Sequence, residues 1–243
     1  MAAPDEKKLE IEAVKKSPSS QDVSFAKKTG SWLSKHYLSL INLILAIYVF
    51  LPLFAPVFMK LGKPEQANVI YRLYRPLCHQ LAYRSFFLFG DQPVYPREIA
   101  GIGNLRSYEE VTAYDGDDVY AAMDFIGNEA LGYKTALCQR DIAIYGSLLL
   151  FGLFFAISGK KIKPLPWFVW ILLGLVPIGL DGMSQLVSQL ELSFLPWLNI
   201  RESTPFLRVL TGFLFGWFTG WFGFPSIEEV VPTNKETTEQ ISW

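Results

Sequence analysis

The sequence predicts an all-α integral membrane protein with four transmembrane helices and an amphipathic helix at the outer interface. Three observations carry this. Four windows of roughly 20 residues are nearly free of charge, which is the length an α-helix needs to cross a ~30 Å hydrocarbon core. Lys residues cluster beside alternate ends of these windows, as the positive-inside rule requires. One further segment has helical apolar spacing but too much charge to span. The 243 residues are 51% hydrophobic and 15% aromatic with a formal net charge of −1, and this near-neutral balance gives no ground to expect nucleic acid as a partner.

Residues 1–35 are polar, contain Lys and Ser, and lack a sustained apolar stripe, so they read as a flexible cytoplasmic tail. The tail is too long and too charged to be a cleavable signal peptide. A membrane domain follows over 36–225. Its first span covers about 37–59, with Pro52 and Pro56 in the last third and Lys60 and Lys63 at the exit. From Pro64 to Gly90, the residues Ile70, Tyr74, Leu77, Cys78, Leu81 and Ser85 recur at three- and four-residue steps. Arg72, Arg75, His79 and Gln80 take other faces, which predicts an amphipathic interfacial helix.

Residues 91–135 form a polar insertion with nine acids against three bases, and Glu109–Ala113 and Val119–Phe125 are its candidates for short regular pieces. The second span covers about 142–158. The third covers 166–190 with Pro177 at its centre, the fourth covers 206–224, and a second cytoplasmic tail occupies 226–243.

Lys27, Lys28 and Lys35 precede the first span, and Lys160, Lys161 and Lys163 separate the second from the third. Both clusters belong on the cytoplasmic side of the membrane. Four spans then place both termini inside, and the insertion and the 191–205 loop outside.

This orientation puts Cys78 and Cys138 on the extracytoplasmic side, where two cysteines usually pair. The structural reading is a Cys78–Cys138 disulfide closing a loop of about 60 residues, worth roughly 4 kcal/mol. A redox couple or unpaired thiols are the alternatives, and a redox couple usually wants a Cys-x-x-Cys pair that this chain lacks. With only His36 and His79 in the chain, a membrane thickness apart, a two-histidine haem has no place. A zinc site would need Cys78, Cys138, His79 and a carboxylate, so no metal or other cofactor is assigned. Asp115-Gly116-Asp117-Asp118 lacks the spacing of a calcium loop and reads as a solvated turn.

The stronger signal lies within the bilayer. Asp181 falls inside the third span, roughly 22 Å above its inner end at 1.5 Å per residue, and shares a helical face with Gln185 and Ser188. An ionisable residue at such depth calls for a partner. Arg208 lies at similar depth in the fourth span, so an Asp181–Arg208 pair is expected. Gly212, Gly216 and Gly220 continue its face as a stripe for close helix contact. The plain reading is an ion pair that fixes the packing of spans three and four. The sharper one is an outer-leaflet pocket lined by Asp181, Gln185, Arg208, Arg140, Asp141, His79, Gln80 and Arg84.

Cys-His-Gln with Arg-Ser-Phe-Phe (78–87), Cys-Gln-Arg-Asp with Ile-Tyr-Gly (138–146), Asp-Gly-x-x-Gln (181–185) and Leu-Arg-x-x-Thr-Gly (207–212) together resemble a family of bacterial and archaeal predicted membrane proteins of unknown function. The resemblance covers about residues 40–223 and implies a small multi-span protein without supplying an activity. The expected role is a non-enzymatic membrane component that binds or moves a lipid-like, isoprenoid-like or anionic ligand. Arg208 and Arg140 would neutralise its charge, and Asp181 and Gln185 would orient it. The alternatives are a lipid-acting enzyme and an accessory subunit of a larger membrane complex.

Overall fold

A computed structural model describes residues 20–189 and 200–230, with side chains described from 28 to 188 and from 200 to 230. The 1–19 part of the expected N-terminal tail, the last residue of the expected third span at 190, the 191–199 part of the expected outer loop and the expected tail beyond 230 lie outside the described residues. The chain divides at Leu40 into two units. In the described part of the first, residues 20–40 are the start of a long helix, and the rings of Trp32 and His36 lie 5.0 Å apart.

The chain is mostly helical, and among the described residues three helices are long and apolar enough to cross a membrane: Lys28–Lys60, Gln139–Ile157 and Trp167–Ser188. Helix α1 is Ser20–Lys60, continuous through Pro52 and Pro56, so helix begins well before the expected boundary at 37. Leu43, Ile44, Ile47, Phe50 and Phe54 are exposed along it. An apolar outer face of that length suits a lipid solvent.

Two features depart from the all-α expectation. Helix α2, where an amphipathic interfacial helix was expected, is only Pro64–Tyr74, opened by its own proline and burying Ala67, Ile70, Tyr71 and Tyr74. Pro76 cannot continue it, and the Leu77 and Cys78 amides close back onto the Tyr74 carbonyl at 3.0 and 2.9 Å. Gln80 then takes a positive φ of 54°, and Ser85–Leu88 is strand β1, not helix. It pairs antiparallel with β3 (Gly132–Cys138), and β3 pairs with the short β2 (Gly127–Asn128), giving the order β1-β3-β2.

The polar insertion folds onto this sheet. Leu81, Ala82, Tyr83, Phe87, Tyr95, Tyr108, Ala122 and Leu131 form its core. Helices α3 (Tyr108–Thr112) and α4 (Val119–Asp124) are N-capped by Ser107 and Asp118. The acidic turn serves this fold: Asp118 is a cap, Asp117 pairs with Arg97 at 2.8 Å, and Asp115 accepts the Asp117 amide.

Strand β3 runs straight into helix α5 (Gln139–Ile157). Next come α6 (Trp167–Trp170), a π turn (Ile171–Leu175) and α7 (Val176–Gln189), one helical run with a bulge just before Pro177. A proline removes the amide that the carbonyl four residues back would use, and a π turn is a common accommodation. Helix α8 is Pro205–Val230.

Close contacts fix the helix directions. A Cβ on Gly212 would sit 2.8 Å from the Arg140 carbonyl, one on Gly216 would strike the Ile144 carbonyl and Ser147 Oγ, and one on Gly220 would meet Phe151 at 3.0 Å. Both residue series ascend, so α8 runs parallel to α5. Trp170 donates to Thr219 Oγ1 at 3.1 Å while Gly174 abuts Phe218, so α6–α7 runs antiparallel to α8. Asn42 abuts Gly152 and the Tyr48 ring lies 4.5 Å from that of Tyr145, so α1 is antiparallel to α5. The glycine stripe therefore packs α8 onto α5, rather than onto the third span.

Candidate functional site

The site lies where the sheet meets the first turns of α5 and α8. Strand β3 ends at Cys138, which also stands as the N-cap position of α5. Gln139, fully buried, donates to the Ser85 carbonyl at 2.9 Å and so locks the helix start to β1. Arg140 and Asp141 follow in the first turn.

Asp181, on α7, is 6% exposed and is held from three sides. Arg140 pairs with Oδ2, Arg201 donates to Oδ1 at 2.8 Å, and the Ser203 hydroxyl donates to Oδ2 at 2.7 Å. Arg201 also donates to the Asp181 carbonyl at 3.2 Å and to Ser184 Oγ at 2.6 Å.

A second carboxylate, Glu202, is equally buried. It accepts from Arg84 on both oxygens, at 3.0 and 3.1 Å, from Gln185 at 2.6 Å, and from Arg208. Arg208 also donates through Nε to the Ser203 carbonyl at 3.0 Å. A buried charge is tolerated when it is paired and hydrogen-bonded, and both carboxylates meet that condition. Arg208 thus pairs with Glu202, and Asp181 pairs with Arg140 and Arg201, which corrects the expected Asp181–Arg208 pair.

Beside this network is a cavity of about 300 Å³ lined by Leu77, Cys78, His79, Gln80, Leu81, Arg84, Cys138, Arg140, Asp141 and Arg208. The structure brings six of the expected site residues to this wall: His79, Gln80, Arg84, Arg140, Asp141 and Arg208. Asp181 and Gln185 stand behind it, holding the arginines or their carboxylate partner. Gln80 turns its side chain away to the Tyr71 carbonyl at 2.9 Å. Sequence reasoning missed Arg201, Glu202 and Ser203. They lie in the connection before α8, and a charged residue in a predicted outer loop carries no signal that it folds inward.

Cys78 and Cys138 are both free, and their sulfurs are not at bonding distance, which corrects the expected disulfide. Cys138 Sγ instead donates to Asp141 Oδ2 at 3.1 Å. The loop carrying Cys78 is positioned by α2 and by Lys134 of β3, not by a covalent link. The Cys138 thiol beside it draws the Cys78 thiol below its ordinary value, against the opposing effect of burial. Cys138 is pushed well above its own value by Cys78 and by burial.

Residues 129–222, from the second turn of the sheet through most of α8, match the family described as "Predicted membrane protein (DUF2085)". Over 208 residues the chain is 24% identical to an uncharacterized protein of Methanocaldococcus jannaschii, covering 82% of this chain and 97% of that one. No solved structure matches. The family-level resemblance is borne out: this chain carries the DUF2085 predicted-membrane-protein match, with a relative in an archaeon, over the helices and the β3–α5 junction that build the site.

Proposed function

We propose that the protein is a four-span membrane protein, with both termini cytoplasmic, that binds the anionic headgroup of a small amphiphile at the outer leaflet. The single observation that carries the ligand is the wall of the 300 Å³ cavity, where Arg84, Arg140 and Arg208 converge. Their carboxylate partners, Glu202 and Asp181, hold the guanidinium groups from behind. The cavity face itself presents three cations against Asp141. Arg140 Nε is buried without a hydrogen-bond partner, so this guanidinium keeps one donor unused. Prepaid positioning of this kind lets an arginine bind an anion with little further ordering cost.

The helix directions support four spans. Helix α8 follows α5 in the same direction and opposes α6–α7, so it crosses wherever those two cross. Its Gly, Trp and Arg content lowers its hydropathy without shortening it. The amphipathic helix α2, with Val69 and Leu73 exposed, lies along the interface in this arrangement. A lipid-acting enzyme or an accessory subunit finds no comparable observation in its favour.

Native mass spectrometry in mild detergent tests the ligand. Arg140→Gln suits the test because Asp181 keeps Arg201 and Ser203 as partners, so the fold is retained. The wild-type chain should carry a discrete adduct of lipid mass, with retention lowered about tenfold in the variant, the value of one charge-assisted hydrogen bond. A wild-type chain without adduct, or equal retention in both, refutes the reading.

A further inference from the structure

The cavity wall holds a second chemistry that the arginines do not explain. Cys78 Sγ, Cys138 Sγ and a carboxylate oxygen of Asp141 all lie within 4.8 Å of one another. Zinc bonds of about 2.3 Å to sulfur and 2.0–2.2 Å to oxygen set tetrahedral ligand atoms roughly 3.5–3.8 Å apart. The three groups therefore need to close by at most about an ångström.

The scaffold under them is firm. Cys78 sits on the turn that ends α2, its amide bonded to the Tyr74 carbonyl at 2.9 Å. Cys138 pairs with Ser85 across the sheet at the start of α5, and Asp141 follows three residues later. The i to i+3 spacing at a helix start brings both side chains over one turn. The 3.1 Å contact from Cys138 Sγ to Asp141 Oδ2 is a thiol proton lying where a metal would replace it.

We infer that Cys78, Cys138 and Asp141 form a three-ligand site for a zinc-class divalent cation, with the fourth coordination position open to the cavity. Two thiolates select a borderline-soft cation over magnesium or calcium, and the carboxylate favours zinc over monovalent copper. Three protein ligands with one open position is the pattern of zinc sites that take an exogenous ligand. Charge balance also fits. Two thiolates, one carboxylate and a divalent cation leave one negative charge, and Arg140 and Arg208 on the same wall compensate it. Reasoning from the sequence asked a zinc site for Cys78, Cys138, His79 and a carboxylate and assigned no metal; the fold brings Asp141 to the two sulfurs. The site uses no arginine as a ligand, so it stands or falls apart from the anion reading.

The test is a cobalt titration of the full-length reduced protein in detergent, followed by zinc competition. Thiolate ligation gives a cobalt charge-transfer absorption, which should saturate at one cobalt per chain and be displaced by zinc and not by magnesium. Cys78→Ser and Cys138→Ser should each abolish that absorption, and Asp141→Asn should weaken cobalt binding at least about tenfold while retaining it. A wild-type protein without saturable charge transfer overturns the site whatever the variants do. So does an unchanged spectrum in both serine variants, and unchanged cobalt affinity in Asp141→Asn removes the third ligand and with it the proposal.

Discussion

Lys134 shows how a single residue can tie the sheet and its neighbours together and make stability depend on pH. It is 1% exposed in the middle of β3, and its ammonium donates to the carbonyls of Gln80 and Met123 at 2.8 and 2.6 Å. Those carbonyls belong to the Cys78 loop and to α4, so one side chain links three elements. Burial pushes its pKa from 10.5 down to about 7, against the pull of nearby Asp124. In the unfolded chain the amine keeps its ordinary value, so between these limits the unfolded state binds more protons. Stability therefore rises with pH across that window, and the contribution is lost as pH falls towards the folded value. The slope approaches about 1.4 kcal/mol per pH unit at most. Lys134→Met should flatten the rise between about pH 7 and about pH 9 in denaturant titrations, while lowering stability at high pH through the lost hydrogen bonds. A wild-type rise that survives unchanged in the variant assigns the titration to another group. At this scale the sequence was half legible. Asp181 stands out in an apolar helix because a membrane makes any charge conspicuous. Glu202 and Lys134 do not, since they lie in segments rich in charge where burial leaves no mark on composition.

At the scale of elements, the contact between α5 and α8 brings backbone against backbone. A Cβ at Gly216 would strike the Ile144 carbonyl and Ser147 Oγ, and a helix backbone cannot step aside as a side chain can. Gly216→Ala should therefore cost about 1–3 kcal/mol, the usual range for overpacking. Gly223, on the same helix, has nothing within 4 Å of its would-be Cβ. Gly223→Ala should be neutral or stabilising by up to about 1 kcal/mol through lost chain freedom in the unfolded state. Melting temperatures of the two variants in one detergent decide the matter, and equal shifts would mean that the interface yields. The stripe was legible because its period of four is a pattern within one helix. Its partner was not, because a pattern names a face and not what meets it. The same limit explains the misplaced strand at 85–88. Three- and four-residue apolar spacing continued through Leu81 and Ser85, yet Pro76 and the left-handed Gln80 had already ended the helix. Strands of two and four residues are too short to show an alternation of their own.

For the whole molecule, parity links the helices. Helix α1 opposes α5, α6–α7 opposes α8, and α8 runs with α5, so an up-down-up-down order follows once any one direction is set. The 26 residues of α8 extend roughly 39 Å at 1.5 Å per residue, more than a hydrocarbon core requires. Direction comes from charge. Lys160, Lys161 and Lys163 stand in the α5–α6 connection, and the acidic insertion lies at the opposite end of α5. In the four-span arrangement proposed above, the positive-inside rule would set the lysines in the cytoplasm and the sheet, the cavity and the thiols outside. Two exposed positions at opposite ends make this measurable: Tyr120 on α4, 77% exposed, and Lys161 in the connection. A membrane-impermeant maleimide added to intact cells should label Tyr120→Cys above the background of the unmodified chain. It should label Lys161→Cys only after permeabilisation. The reverse pattern would invert the orientation and place the cavity on the cytoplasmic side. Labelling of both from outside would mean that α5 does not cross, and the parity argument for α8 would fall with it.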